Sequence, residues 1–125
     1  MKMTALYRIE SLKNQAVIAD KCKVARSFFD RLIGLMGRRN FNGGEGLLFP
    51  RCNDVHMWFM RIPIDVVFLR NKDERKIVTS VREELRPWRP LPVHDFQAEE
   101  ALELPAGTVR RCGIAKGDEL RCSIT

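Results

Sequence analysis

The sequence predicts a mainly β protein, a mostly antiparallel sandwich or barrel with one short amphipathic helix. Three observations carry this: many short apolar runs, turn residues between them, and a single stretch with helical rather than two-residue spacing. A parallel α/β sheet would need a helix after each strand, and only one long helix is legible. At 125 residues the chain matches one domain in size and is read as such, residues 1–125.

Taken in order, residues 4–12 and 16–24 read as two strands joined around "LKNQ", with Ile18, Cys22 and Val24 on one face. Ser27 with Asp30 three residues on forms a capping box for orphan N–H donors. Behind it Phe28, Phe29, Leu32, Ile33 and Met36 recur at helical spacing, and Gly37 can end the helix, which is placed at residues 28–36. After the loop "RRNFNGGEG" comes the short strand "GLLF", stopped by Pro50. Residues 55–60 and 64–69 read as strands separated at Pro63, since proline has no N–H to give a central ladder. "NKDE" is a turn, "KIVTSV" a strand, and "RPWRPLPVH" an extended surface loop. "EALELP" and "DELRCSI" are the last strands, with room for one helical turn in "GTVRRCG" between them.

The formal net charge of +6 raises a nucleic-acid reading, but most basic residues are interleaved with acids. The exception is residues 21–39, where Lys21, Lys23, Arg26, Arg31, Arg38 and Arg39 face one acid, Asp30. A solvated basic face is favoured there over a nucleic-acid groove. No stretch reaches the roughly 18 apolar residues of a membrane helix, and no apolar segment follows the first lysine, so no membrane association is read and a cytoplasmic location is expected. Cys22, Cys52, Cys112 and Cys122 form no C-x-x-C pair and read as reduced, core-type thiols. Cys52 and His56 have a C-x-x-x-H spacing, but zinc needs three or four ligands, so no metal and no cofactor is assigned.

The stretch "VHMWFMRIPIDVVFL" places polar groups inside the most apolar part of the chain. Alternation would put His56, Trp58 and Met60 on one face and start the next strand with Asp65 on the side of Val67 and Leu69. A buried carboxylate there requires a partner. Arg31, at the edge of the helical stripe, is the expected one, with Glu103 in "LELP" as the other acid it could meet. The candidate ligand patch is therefore Arg31, His56, Trp58, Asp65 and Glu103, with no catalytic residue assigned.

"RLIGLMGR", "GLLF", "C-x-x-x-H…M-x-x-PIDVVFL", "LELPAG" and "GI-x-x-GD", in that order, resemble the prokaryotic family called domain of unknown function 192, over essentially the whole chain. The family pattern falls on Arg31, Gly34, Leu35, Met36, His56, Met60, Pro63, Asp65, Glu103, Gly107, Gly117 and Asp118. In the histidine-bearing branch a small residue usually precedes the methionine; here it is Phe59. The resemblance implies a jelly-roll-like β-sandwich with one packed helix, and it implies no reaction. Gly107 and Gly117 fit turns that need positive φ, and Gly34 fits a close backbone approach.

The favoured function is a non-enzymatic binding or accessory module, with a small anionic or sugar-like ligand against an aromatic wall. One alternative is an enzyme using His56 and Asp65 as an acid–base pair. The other is a nucleic-acid-associated protein working through the basic 21–39 region; Arg86, Trp88 and Arg89 could stack on single-stranded bases, but a solvated loop is favoured there.

Overall fold

The apolar run at residues 64–69 becomes a strand buried on both faces. In the computed structural model, which describes residues 5–26, 38 and 40–125, every side chain from Ile64 to Leu69 is buried. That is why the sequence there is nearly continuous in apolar residues instead of alternating.

The described elements are β1 (Tyr7–Ser11), β2 (Val17–Val24), β3 (Glu45–Pro50), β4 (Asp54–Val55), β5 (Ile64–Lys72), β6 (Arg75–Leu85), β7 (Val93–His94), β8 (Glu100–Pro105), α1 (Thr108–Cys112) and β9 (Glu119–Ile124). Seven of the strands close into a barrel in the order β1-β2-β3-β8-β5-β6-β9, with β9 returning to β1; β4 and β7 form a separate two-stranded ribbon. Closure removes the unpaired edges that an open sheet would expose. Every barrel pairing is antiparallel except β2 with β3, which run parallel. The mainly β prediction therefore holds, in its barrel form.

Alternation along the strands separates two apolar layers. Val67, Leu69, Val78, Leu102, Leu104 and Leu120 point into the barrel with Ile9, Ile18 and Cys22. Ile64, Val66, Phe68 and Ala101 point outward, where Val55, Met57, Met60, Val93 and Ala98 cover them from the loops beside the ribbon.

Asp65 breaks the apolar pattern on the inward face and closes one end of the barrel. It is fully buried. Its Oδ1 accepts the Glu84 N–H at 2.8 Å, and its Oδ2 accepts the N–H groups of Gly107 at 3.1 Å and Val109 at 2.9 Å. Glu84 is the last residue but one of β6, in a left-handed conformation at φ 50°. Gly107 precedes α1 at φ 94° and offers no side chain to cap it. The carboxylate thus caps a helix from a distant strand, satisfying donors that a glycine cannot. Behind the cap, Val109, Cys112 and Ile114 fill the end of the inner core.

Most element boundaries fall close to expectation: "GTVRRCG" holds the helical turn, and Gly107 and Gly117 have φ of 94° and 92°. The expected strand at 55–60 does not form beyond Val55. Instead the Met57 carbonyl accepts the Met60 N–H at 3.3 Å and the Trp88 N–H at 2.8 Å, which turns the chain. Val55, Met57 and Met60 are buried while Trp58, Phe59 and Arg61 are exposed, so apolar composition imitated a strand without its periodicity. The helix expected at 28–36, with Arg31, Gly34, Leu35 and Met36, lies outside the described residues.

Replacing Asp65 with alanine strands three backbone donors, one of them in fully buried surroundings. At about 1–3 kcal/mol for each unsatisfied buried group, Asp65→Ala should lose about 3 kcal/mol or more in urea unfolding. A loss under about 1 kcal/mol would mean that the cap is dispensable.

Candidate functional site

Two stretches meet beside the β4–β7 ribbon, a first loop at residues 56–63 and a second at 86–99 that carries β7, and the ribbon sets their register by pairing Asp54 with His94 and Val55 with Val93. The second loop is anchored to the barrel through Asp95. Its Oδ2 accepts the hydroxyls of Ser80 at 2.6 Å and Thr79 at 2.7 Å, and its Oδ1 accepts the Gln97 N–H at 2.9 Å. Burial pushes this carboxyl up, but those bonds and the nearby Arg82 charge outweigh it and hold the group below the ordinary carboxylate value. The first loop is tied to the second by Trp58, whose indole N–H donates to the Pro90 carbonyl at 3.2 Å.

The loops turn their buried methionines and valines inward and their rings outward. Trp58 is 47% exposed, Phe59 54%, Trp88 58%, Leu91 70% and Phe96 83%; of the large exposed hydrophobics among the described residues, Ile124 alone lies elsewhere. Phe59 and Trp88 meet edge-to-face with centroids 4.9 Å apart, and His56 lies tilted 5.3 Å from Trp58. Both Phe59, at φ 65°, and Trp88, at φ 60°, adopt left-handed backbone, a conformation that bulky residues rarely take. Such positions cost on the order of 1–3 kcal/mol each and cluster at functional sites. These two left-handed backbones hold two exposed rings in contact. Arg61 and Arg86 lie exposed on the same loops, with no ion pair among the described residues.

The five residues singled out from the sequence do not form one site. His56 and Trp58 come together on the first loop. Asp65 faces into the barrel; Glu103 faces out, because β5 and β8 pair Asp65 with Leu104 and Val66 with Glu103. Arg31 lies outside the described residues, and the Asp65 oxygens are held by backbone N–H groups. A His56–Asp65 acid–base pair is also overturned: Asp65 is sealed in the wall, while His56 is exposed with no hydrogen bond to a carboxylate among the described residues.

Of the remaining motif positions, Gly34, Leu35 and Met36 lie outside the described residues. Met60 is buried under the loops, Pro63 precedes β5, and Asp118 accepts the Ala115 N–H at 2.9 Å beside the Gly117 turn. In the basic segment, Lys21 and Lys23 are exposed on β2, Arg38 pairs with Glu45 at 2.8 Å, and Arg26 donates to the Tyr7 hydroxyl at 3.1 Å. The Cys52 thiol donates to the Asp54 carbonyl at 3.1 Å, and among the described residues no group of three or more metal-ligating side chains converges. Sequence reasoning weighed Trp88 and Arg86 but missed Leu91 and Phe96, which no periodic signal marks because they lie in irregular loop.

Glu103 is a different kind of outlier. It sits on the outer face between Leu47 and Val66, 8% exposed, with no hydrogen bond or ion pair among the described residues. Burial pushes its carboxyl up to about 8, so the group is mostly protonated at neutral pH. Because the folded value lies above the unfolded one, the folded state binds the extra proton between the two. Its contribution to stability is full below about 4.5 and is lost as pH rises toward 8. Glu103→Gln should remove that slope and leave the variant more stable than the parent above pH 8, by a few kcal/mol in urea unfolding. Parallel stability–pH curves for the two would overturn the reading.

Comparison with known proteins places this geometry among relatives. The family profile described as Uncharacterized ACR, domain of unknown function 192, matches residues 9–122. A UPF0127 protein of Thermococcus sibiricus is 36% identical over 104 residues, covering 80% of this chain; the chain spans only 64% of that relative's length. A UPF0127 protein of Pyrococcus abyssi is 35% identical over 106 residues, 80% of this chain and 84% of that one. Among solved structures, a candidate transcription regulator from Sinorhizobium meliloti aligns with a TM-score of 0.79 at 24% identity, over 98% of both chains. A protein of unknown function from Novosphingobium aromaticivorans aligns with a TM-score of 0.74 at 23% identity, over 92% of this chain and 82% of that one. At these identities the two structures establish a shared barrel fold. No helix among the described residues is long and apolar enough to cross a membrane.

Proposed function

The chain belongs to the domain of unknown function 192 family, and from that premise we propose that it is a non-enzymatic binding module, one domain acting in the cytoplasm. Its ligand is anionic and carries flat faces, and it lies across the aromatic loop pair. The observation that carries this reading is the exposed trio Trp58, Phe59 and Trp88, with Arg61 and Arg86 beside it. Rings offer sequence-tolerant stacking, and exposed guanidinium groups offer charge to phosphate. Single-stranded nucleic acid combines both features. A formal net charge of +6 favours the approach of such a polyanion, and the Sinorhizobium neighbour's description is in keeping with it.

Trp58 and Trp88 are the only two tryptophans in the chain, so intrinsic tryptophan fluorescence reports this surface alone. Titration with a single-stranded oligothymidylate at low salt should quench it. Trp58→Ala or Trp88→Ala should weaken binding by about 1–3 kcal/mol each, the usual worth of one stacked base. Two phosphates neutralised by Arg61 and Arg86 give a log–log salt slope of about −1.4. Fluorescence that does not change at any oligonucleotide concentration in low salt would remove nucleic acid as the ligand.

A further inference from the structure

The barrel has two unlike ends. One is closed by Asp65, α1 and the apolar side chains behind them; the other opens into a cleft of about 370 Å3. At that open end the inward positions change character. Two residues deeper along β6 and β8 they are Val78 and Leu102, whereas at the mouth they are Lys76 and Glu100.

Lys76 Nζ lies 2.7 Å from Glu100 Oε1 and 2.9 Å from Asn71 Oδ1. The two charged side chains are only 15% and 11% exposed. Stability does not require such a pair, since well-packed apolar residues in the same place are often as good or better. Its effect is to give the cleft a neutral but strongly polar floor. The Cys122 thiol joins that floor, and burial pushes it up from its ordinary value.

The charges left over are on the rim, and they are separated. Arg26, just beyond β2, donates to the Tyr7 hydroxyl, and no acid among the described residues pairs with it. Asp73 and Glu74, in the turn between β5 and β6, are likewise without an ion pair among the described residues. In the barrel order, two strands separate β2 from the β5–β6 hairpin in either direction, so cation and anions face each other across the mouth.

We propose that the open mouth of the barrel binds a small zwitterion of amino-acid type, its carboxylate at Arg26 and its ammonium at Asp73 and Glu74, over the Lys76–Glu100 floor. The volume lies at the small end of ligand pockets and suits a ligand of amino-acid size. This site shares no residue with the aromatic loops and stands or falls separately from them.

The test is calorimetric titration of the intact chain with free proteinogenic amino acids, one at a time, followed by the N-acetyl and amide forms of any that bind. At least one free amino acid should bind, and each blocked form should bind about tenfold or more weakly, because each removes one charge. Arg26→Ala, an exposed change that leaves the core intact, should weaken the free amino acid similarly. Asp73→Asn combined with Glu74→Gln should weaken it while sparing the N-acetyl form, which has no ammonium to lose. Absence of heat with every amino acid at millimolar concentration would overturn the proposal. So would a blocked form binding as tightly as the free one, or Arg26→Ala binding unchanged.

Discussion

A closed barrel of seven strands has to end somewhere, and the way it ends at Asp65 constrains everything built on it. The carboxylate holds the left-handed end of β6, the turn after β8 and the first turn of α1 at one point. Those segments are 19 to 44 residues away from it in sequence, so no local hydrogen bond could have fixed them together. Three backbone N–H groups here replace the water that a fully buried acid gives up. With that end sealed, Val109, Cys112 and Ile114 complete the inner core, and the other end is left open.

The same strand serves the second layer. Because β5 is buried on both faces, its outward residues need a cover, and Val55, Met57, Met60 and Val93 supply it from irregular loops. Buried anchors of this kind leave the neighbouring loop residues free to face water. Trp58, Phe59 and Trp88 occupy those outward positions, two of them in a backbone form that packing must enforce. Loops mounted on a closed barrel are a common place for binding residues.

Glu103 and Asp65 illustrate how two acids one strand apart diverge. Asp65 meets three donors, whereas Glu103 meets none among the described residues and is pushed up to about 8 by burial. Both stand out equally in the sequence as acids among apolar neighbours. Cross-strand register alone separates their fates, since a shift of one position sends a side chain to the other face.

What the sequence determined by itself was local: strand content, the glycine turns at 107 and 117, the break at Pro63, and the fact that Asp65 is buried and needs partners. Each follows from short-range sterics, alternation or the cost of burying charge, which a linear pattern records. Tertiary structure decided who those partners are, that "HMWFM" turns instead of pairing, and that the patch imagined around His56, Asp65 and Glu103 is split across the barrel wall. Strand register, ring closure and the order of strands bring distant residues together, and no spacing along the chain encodes that. The Lys76–Glu100 pair was illegible for the same reason: its members lie 24 residues apart on strands separated by a third.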